Sequence, residues 1–160
     1  MGSFDKLPDD IFKAIMCLIT DAKDVAYSSC VSKKWHDVMV HRKCLEFSEK
    51  LFGKLLTGST DSIIYNMVWS VHYLEKLAVG CMFSNYCLAS LLCMCCTSLK
   101  KLEIRADILG DLDHPVKIDL IRGCLKLEYL RLSRLELNTP PKWIVFTSLK
   151  ILETVGCVLE

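Results

Sequence analysis

Several absences narrow the function before any motif is considered. The chain has no charge bias: 20 lysines and arginines stand against 19 aspartates and glutamates, a formal net charge of +1. Nothing here draws it as a whole toward nucleic acid or an anionic membrane, and no basic stripe with interleaved aromatics suggests an RNA or DNA surface. Glycine is scarce, at seven residues spread singly, and no G-x-x-x-x-G-K-[ST], G-x-S-x-G or H-E-x-x-H occurs. That removes the standard phosphate loop, the nucleophile elbow and the zincin helix from consideration. Histidines 36, 41, 72 and 114 are scattered, with no pair four apart. No long apolar run is present either; the longest, Cys87 to Cys96, is about half of what spans a bilayer. The opening MGSFDKLPDD is acidic and polar where a secretory signal has its apolar core, and Lys6 stands where a myristoylation site prefers Ser or Thr. The expectation is a soluble, cytoplasmic and/or nuclear protein with reduced thiols.

Cysteine, by contrast, is plentiful: ten residues, three of them in Cys93-Met94-Cys95-Cys96. Cys93 and Cys96 form a C-x-x-C, but a structural zinc site needs a second pair, and a redox pair sits at a helix start rather than at the expected helix end. Leu88, Leu91, Leu92 and Cys95 share one helical face, so the thiol there reads as a small packing group. No metal, cofactor or catalytic residue is expected.

The N-terminal 44 residues have helical grammar. Leu7-Pro8-Asp9-Asp10 is a helix start, with proline in the first turn and carboxylates at the positive end of the dipole. Ile11, Ile15, Leu18 and Ile19 follow at the spacing of one buried face. Thr20 or Asp21 is placed to cap a second helix with Val25, Ser29 and Cys30 inward, and Ser32 a third with Trp35, Val38 and Met39 inward. Three such helices bury too little surface to stand alone and need a neighbour.

From residue 45 the period changes. The frame L-x-x-L-x-(apolar) recurs as Leu74-Glu-Lys-Leu77-Ala-Val79, Leu99-Lys-Lys-Leu102-Glu-Ile104 and Leu127-Glu-Tyr-Leu130-Arg-Leu132, with a degenerate copy in Leu149-Lys-Ile-Leu152-Glu-Thr154. The spacing, roughly 22 to 28 residues, is that of leucine-rich repeats. Each frame predicts a short strand that turns alternate residues inward, about four strands in all, stacked into a parallel sheet. Helical connectors are predicted over 61–73, after a loop at Gly58-Ser59-Thr60, and over 86–96; Ile118 to Arg122 predicts a short turn, and Pro140-Pro141 an extended connector. Cys96 and Cys124 each stand three residues before a frame's first leucine. The Asn or Cys that often follows a repeat strand is irregular: Cys81 fits loosely, and Asp107 and Leu135 take that place elsewhere.

Leu7-Pro8-Asp9-Asp10-Ile11, Ile15, Leu18, Asp24-Val25 and Cys30-Val31-Ser32-Lys33-Lys34-Trp35, in that order, resemble an F-box, although Met16-Cys17-Leu18 departs from the usual Leu-Ser-x-Leu. With the repeats behind it, the chain resembles an F-box/leucine-rich-repeat protein in the irregular style common in plants. The resemblance implies an α+β solenoid, with a three-helix F-box over 1–44 and leucine-rich repeats over 45–160, an array expected to be incomplete at the C-terminus, since no polar capping repeat follows Leu159. It implies a non-catalytic substrate receptor of an SCF-type ubiquitin ligase. The F-box would bind a Skp-type adaptor, and through it cullin and RING subunits, using Leu7, Pro8, Ile11, Ile15, Val25, Val31, Lys33, Lys34 and Trp35. A protein substrate would lie on the concave face, where the frame turns out Lys76 and Ala78, Lys101 and Glu103, Tyr129 and Arg131, and Ile151 and Glu153. Tyr129 and Arg131 are the preferred anchors. Two alternatives stand beside this: a repeat-based interaction module whose helices only cap the array, and a truncated receptor that competes for the adaptor.

Overall fold

The computed structural model describes residues 6–48, 57–71, 73–80, 84–105, 118–137 and 146–159. Helix α1 covers Asp9–Cys17, α2 Ala22–Ser29 and α3 Lys33–Met39. Pro8 sits at the N-cap of α1 with Asp9 and Asp10 in the first turn. Asp21 caps α2 by accepting from the Lys23 N–H at 2.9 Å, and Ser32 caps α3 by accepting from the Trp35 N–H at 3.3 Å.

The buried face of α1 differs from the expectation. Phe12 and Met16 are the buried residues and Ile19 is half-buried, while Ile11, Ile15 and Leu18 face solvent. The helix carries two apolar stripes one residue apart, 11/15/18 and 12/16/19, and helical periodicity is satisfied by either. Tertiary contact decides: the Phe12 ring meets Trp35 edge-on at 5.5 Å, with Lys34 Nζ 5.0 Å from its centroid.

Strand β1 (Cys44–Ser48) follows, then α4 (Thr57–Trp69), β2 (Lys76–Gly80), α5 (Asn85–Cys95), β3 (Lys101–Arg105), a 3-10 turn (Ile118–Gly123), β4 (Tyr129–Ser133), β5 (Glu136–Leu137), β6 (Ile151–Val155) and β7 (Val158–Leu159). Gly58, Ser59 and Thr60 lie inside α4 rather than in a loop. A first helical turn tolerates them, because its N–H groups make no intrahelical bonds. Cys81, Asp107, His72, His114, Pro140 and Pro141 fall outside the described residues.

One sheet runs β1-β2-β3-β4-β6, every neighbouring pair parallel, and β5 pairs with β7 beside it. The register places Leu45, Leu77, Leu102, Leu130 and Leu152 in one row, and Phe47, Val79, Ile104, Leu132 and Thr154 in the next. Both rows are buried from β1 to β4, against α4 (Ile64, Val68) and α5 (Leu88, Leu91, Leu92, Cys95), in one apolar cluster. Each such side chain contributes about 1.5–3 kcal/mol relative to solvent exposure. The rows open at β6, where Leu152 is 57% exposed.

The backbone repeats one device between strands. The carbonyl of Lys43 accepts from the N–H groups of Glu75 and Lys76 (2.8 and 2.9 Å), that of Glu75 from Lys100 and Lys101 (2.8 and 2.9 Å), that of Lys100 from Glu128 and Tyr129 (2.8 and 3.1 Å), and that of Glu128 from Lys150 and Ile151 (2.8 and 3.1 Å). After β4 and β6 the chain turns through Arg134 (φ 54°) and Gly156 (φ 63°), each seven residues after the frame's first leucine. Cys157, at the place where an Asn or Cys was sought, points its thiol at the Leu132 carbonyl at 3.4 Å, back onto the preceding strand.

Strand β1 is a fifth copy of the frame that pattern reading passed over. Its segment is Arg42-Lys43-Cys44-Leu45-Glu46-Phe47, with arginine in the first leucine's place. Arg42 is 2% exposed. It donates from Nη1 to the Ile19 carbonyl at 2.7 Å and from Nε to the Met39 carbonyl at 3.0 Å, with Nη2 against the Met39 sulfur. Burial lowers its pKa. The outer edge of β1 is covered: α2 packs on it, the Glu46 N–H donates to the Thr20 carbonyl at 2.9 Å, and Ser48 Oγ donates to Asp21 at 3.2 Å.

Candidate functional site

Two surfaces gather the residues singled out by sequence. On the helical unit, Ile11 (47% exposed), Ile15 (36%) and Leu18 (80%) form an apolar stripe along α1, turned about 100° from its buried Phe12 and Met16. Pro8, Val31 and Lys33 are also exposed, and Leu7 is half-buried. Val25 is buried and Trp35 half-buried against Phe12, so these two serve internal packing. Lys34 is already engaged, 2.8 Å from the Asp9 carboxylate, whose pKa that hydrogen bond lowers. Leu18 is an exposed member of this stripe that sequence reasoning missed, and Tyr27 on α2 is exposed as well. By spacing alone Leu18 belongs to the inner stripe, and a lone tyrosine carries no signal of its own.

The second surface is the face of the sheet opposite the leucine rows. Pairing aligns Cys44, Lys76, Lys101, Tyr129 and Ile151 in one row and Glu46, Ala78, Glu103, Arg131 and Glu153 in the next. These side chains are linked across strands. Glu103 lies 3.2 Å from Lys101 and 3.8 Å from Lys76, and Lys101 Nζ sits 4.0 Å above the Tyr129 ring. The Tyr129 hydroxyl donates to Glu153 at 2.8 Å, and Arg131 Nε is 3.7 Å from the same carboxylate. That hydrogen bond raises the Tyr129 pKa and keeps it a donor. Ala78 is nearly buried between Glu46 and Glu103 and adds little of its own to this face.

Chemically, both surfaces are suited to contact. The Cys95 and Cys124 thiols are pushed up to about 12 by burial and are poor nucleophiles. Cys93 is exposed and lines an open groove of about 650 Å³ between α4 and α5, with Tyr65, Tyr86 and Met94. Among the described residues, no three His, Cys, Asp or Glu side chains gather where they could hold a metal ion, and no helix is long and apolar enough to cross a membrane.

No family model matches the chain. It is similar to the F-box protein At1g10780 of Arabidopsis thaliana, 36% identical over 161 residues that take in 98% of this chain and 38% of that protein. The chain thus spans well under half the length of the curated relative. A likeness running through nearly all of this chain supports an F-box protein.

Proposed function

We propose that the chain is a substrate-receptor subunit of an SCF-type ubiquitin ligase. The helical unit docks on a Skp-type adaptor and through it on cullin and RING subunits. The strands form a short leucine-rich-repeat array whose polar face holds a target protein, in the cytoplasm and/or nucleus. The subunit makes and breaks no bond; it raises the target's effective concentration beside the ubiquitin-carrying enzyme.

One observation carries this reading: the exposed Ile11–Ile15–Leu18 stripe. A helix that already buries Phe12 and Met16 has no internal use for a second apolar stripe, and such a patch marks a partner site. Covering it contributes a share of the about 1.5–3 kcal/mol that each fully buried side chain gives. The target face is supported by the cross-linked Lys101, Tyr129, Arg131 and Glu153, whose side chains are held before a partner arrives, which lowers the entropy lost on binding.

The test is capture of this chain by a purified Skp-type adaptor. Ile11→Asp with Ile15→Asp abolishes capture while circular dichroism stays native, and Leu7→Ala with Pro8→Ala weakens it. Undiminished capture of the double aspartate variant, or no capture of the wild type, sinks the proposal. A second reading, in which the helices only cap the array, has its own support in the packing of α2 over β1 and the Asp21–Glu46 bridge. It predicts no adaptor capture at all.

A further inference from the structure

We infer that the groove between α4 and α5, on the helical side of the sheet, holds an arginine side chain of a bound polypeptide. The groove has a volume of about 650 Å³ and is lined by Asp61, Tyr65 and Asn66 of α4 and by Tyr86, Ala89 and Met94 of α5. That volume is of the size that takes a ligand group. Both helices turn their other faces onto the leucine rows, through Ile64, Val68, Leu88, Leu91 and Leu92. They lead into β2 and β3, strands paired on both sides, so the groove lies within the array. It is across the sheet from the polar target face, and the two sites stand or fall separately.

Charge selects the occupant. Asp61 is the one charged residue in either helix: neither the 13 residues of α4 nor the 11 of α5 include a lysine or arginine. In a chain with 24% charged residues, outward helix surfaces this short of charge are shaped for contact more than for water. Asp61 accepts the Ser84 N–H at 3.0 Å on Oδ1 and the Ser84 hydroxyl on Oδ2. A carboxylate offers about four acceptor sites, which leaves room for a ligand's donors. Among the described residues no ion pair includes Asp61. The N-terminus of α5 beside it brings about half a positive charge, less than the carboxylate's full negative one, so the net field of the groove attracts a cation.

The walls narrow the choice to arginine. Tyr65 stacks on Trp69, with centroids 6.1 Å apart and rings 18° from parallel, which fixes one wall in place. Tyr86, 83% exposed, supplies a second aromatic face. A flat guanidinium lies on such rings while its N–H groups reach a carboxylate, and its stem rests on apolar groups such as Ala89 and Met94. A neutral or acidic side chain covering the groove leaves the Asp61 charge desolvated and unpaired, which is costly.

The probes are an alanine-arginine-alanine tripeptide with blocked ends and its counterpart with citrulline, an uncharged isostere of arginine. Each is titrated into the isotopically labelled 160-residue chain and read by amide shifts. The arginine peptide is expected to shift signals of α4 and α5 around the groove saturably. It binds about three- to thirtyfold more tightly than the citrulline peptide, the range of an exposed ion pair together with a cation–π contact. Asp61→Asn levels the two peptides. Tyr86→Ala, at a side chain exposed enough to leave folding untouched, weakens the arginine peptide about two- to fivefold, and it alone decides if Asp61→Asn loses native circular dichroism. Equal binding of the two peptides, a preference unmoved by a folded Asp61→Asn, arginine binding unmoved by Tyr86→Ala, shifts confined to the polar face, or no saturable shift at tens of millimolar overturns the proposal. So does self-association in sedimentation that Tyr86→Ala abolishes, since that seats a second copy in the groove.

Discussion

Replacing Arg42 tests whether the helical unit and the sheet are one cooperative body. Its guanidinium bonds the carbonyls of Ile19, at the end of the α1 segment, and Met39, at the end of α3, while its backbone leads into β1. Hydrogen bonds from a charged donor contribute about 1.5–3 kcal/mol each, so Arg42→Ala forfeits about 3–6 kcal/mol gross. Part is returned, because burial already disfavours the charged form, as the lowered pKa indicates. A net loss of about 2–3 kcal/mol remains, which for a domain of this size lowers Tm by about 4–12 °C. Thermal melts by circular dichroism give the number. Arg42→Leu is the sharper control: it restores the frame's leucine but leaves two carbonyls without a donor, each costing about 1–3 kcal/mol if buried. It therefore melts below wild type too. An Arg42→Leu variant as stable as wild type refutes the reasoning and makes Arg42 a tolerated outlier in a leucine position.

Leu102→Ala, at a fully buried centre of the sheet, costs about 3–5 kcal/mol in a denaturant melt; a loss below about 1 kcal/mol would mean that the core there collapses around the gap. The raised Cys95 and Cys124 pKa values mean that the folded chain keeps protons that the unfolded chain releases from the ordinary thiol value of 9.0 upward. Stability is thus unaffected by these groups at lower pH and falls as pH rises from about 9 toward 12, seen as decreasing urea midpoints between pH 8 and 10. In native labelling with a maleimide, Cys17, Cys30 and Cys93 react first, and Cys95 and Cys124 only on unfolding. The Glu75 carboxyl, held down by hydrogen bonds from Lys43 and Lys100, titrates below the ordinary glutamate value of 4.5 in an NMR titration and moves back up in Lys43→Met. Its contribution is present above pH 4.5 and is lost as pH falls through that lower midpoint.

Strands proved more legible than faces. Each L-x-x-L-x-(apolar) frame carries a strand that starts at its third place, where alternation turns the fourth and sixth residues inward, and the first leucine precedes the strand. The fifth copy escaped because Arg42 replaces the leucine that announces the others, and its role appears only when the carbonyls of Ile19 and Met39 converge on it. Faces are harder where apolar residues are adjacent. Ile11 and Phe12 both begin a helical stripe, and the Trp35 ring, 23 residues on from Phe12, selects between them. On the polar face of the sheet, alternation sets Lys101, Glu103, Tyr129 and Arg131 on one side, as the strand pairing also does. It could not show that Tyr129 and Arg131 share Glu153, because that depends on inter-strand register. The alternating signs of residues 43, 75, 100, 128 and 150 were in plain view but gain meaning only once parallel pairing sets them side by side.

Among the described residues the sheet is pinned at β1 by the helices, while β6 has a strand neighbour on one side only. Each strand rests on its two neighbours, so the stack behaves as a one-dimensional lattice in which local opening starts where a neighbour is lacking. Amide exchange then runs as a gradient, slowest at β1 and β2 beneath the helices and fastest at β6, and unfolding moves inward as a front from the distal strand. Any partner gripping the polar face near Glu153 binds the part of the molecule that opens most often, and by closing it lengthens the lifetime of the whole stack.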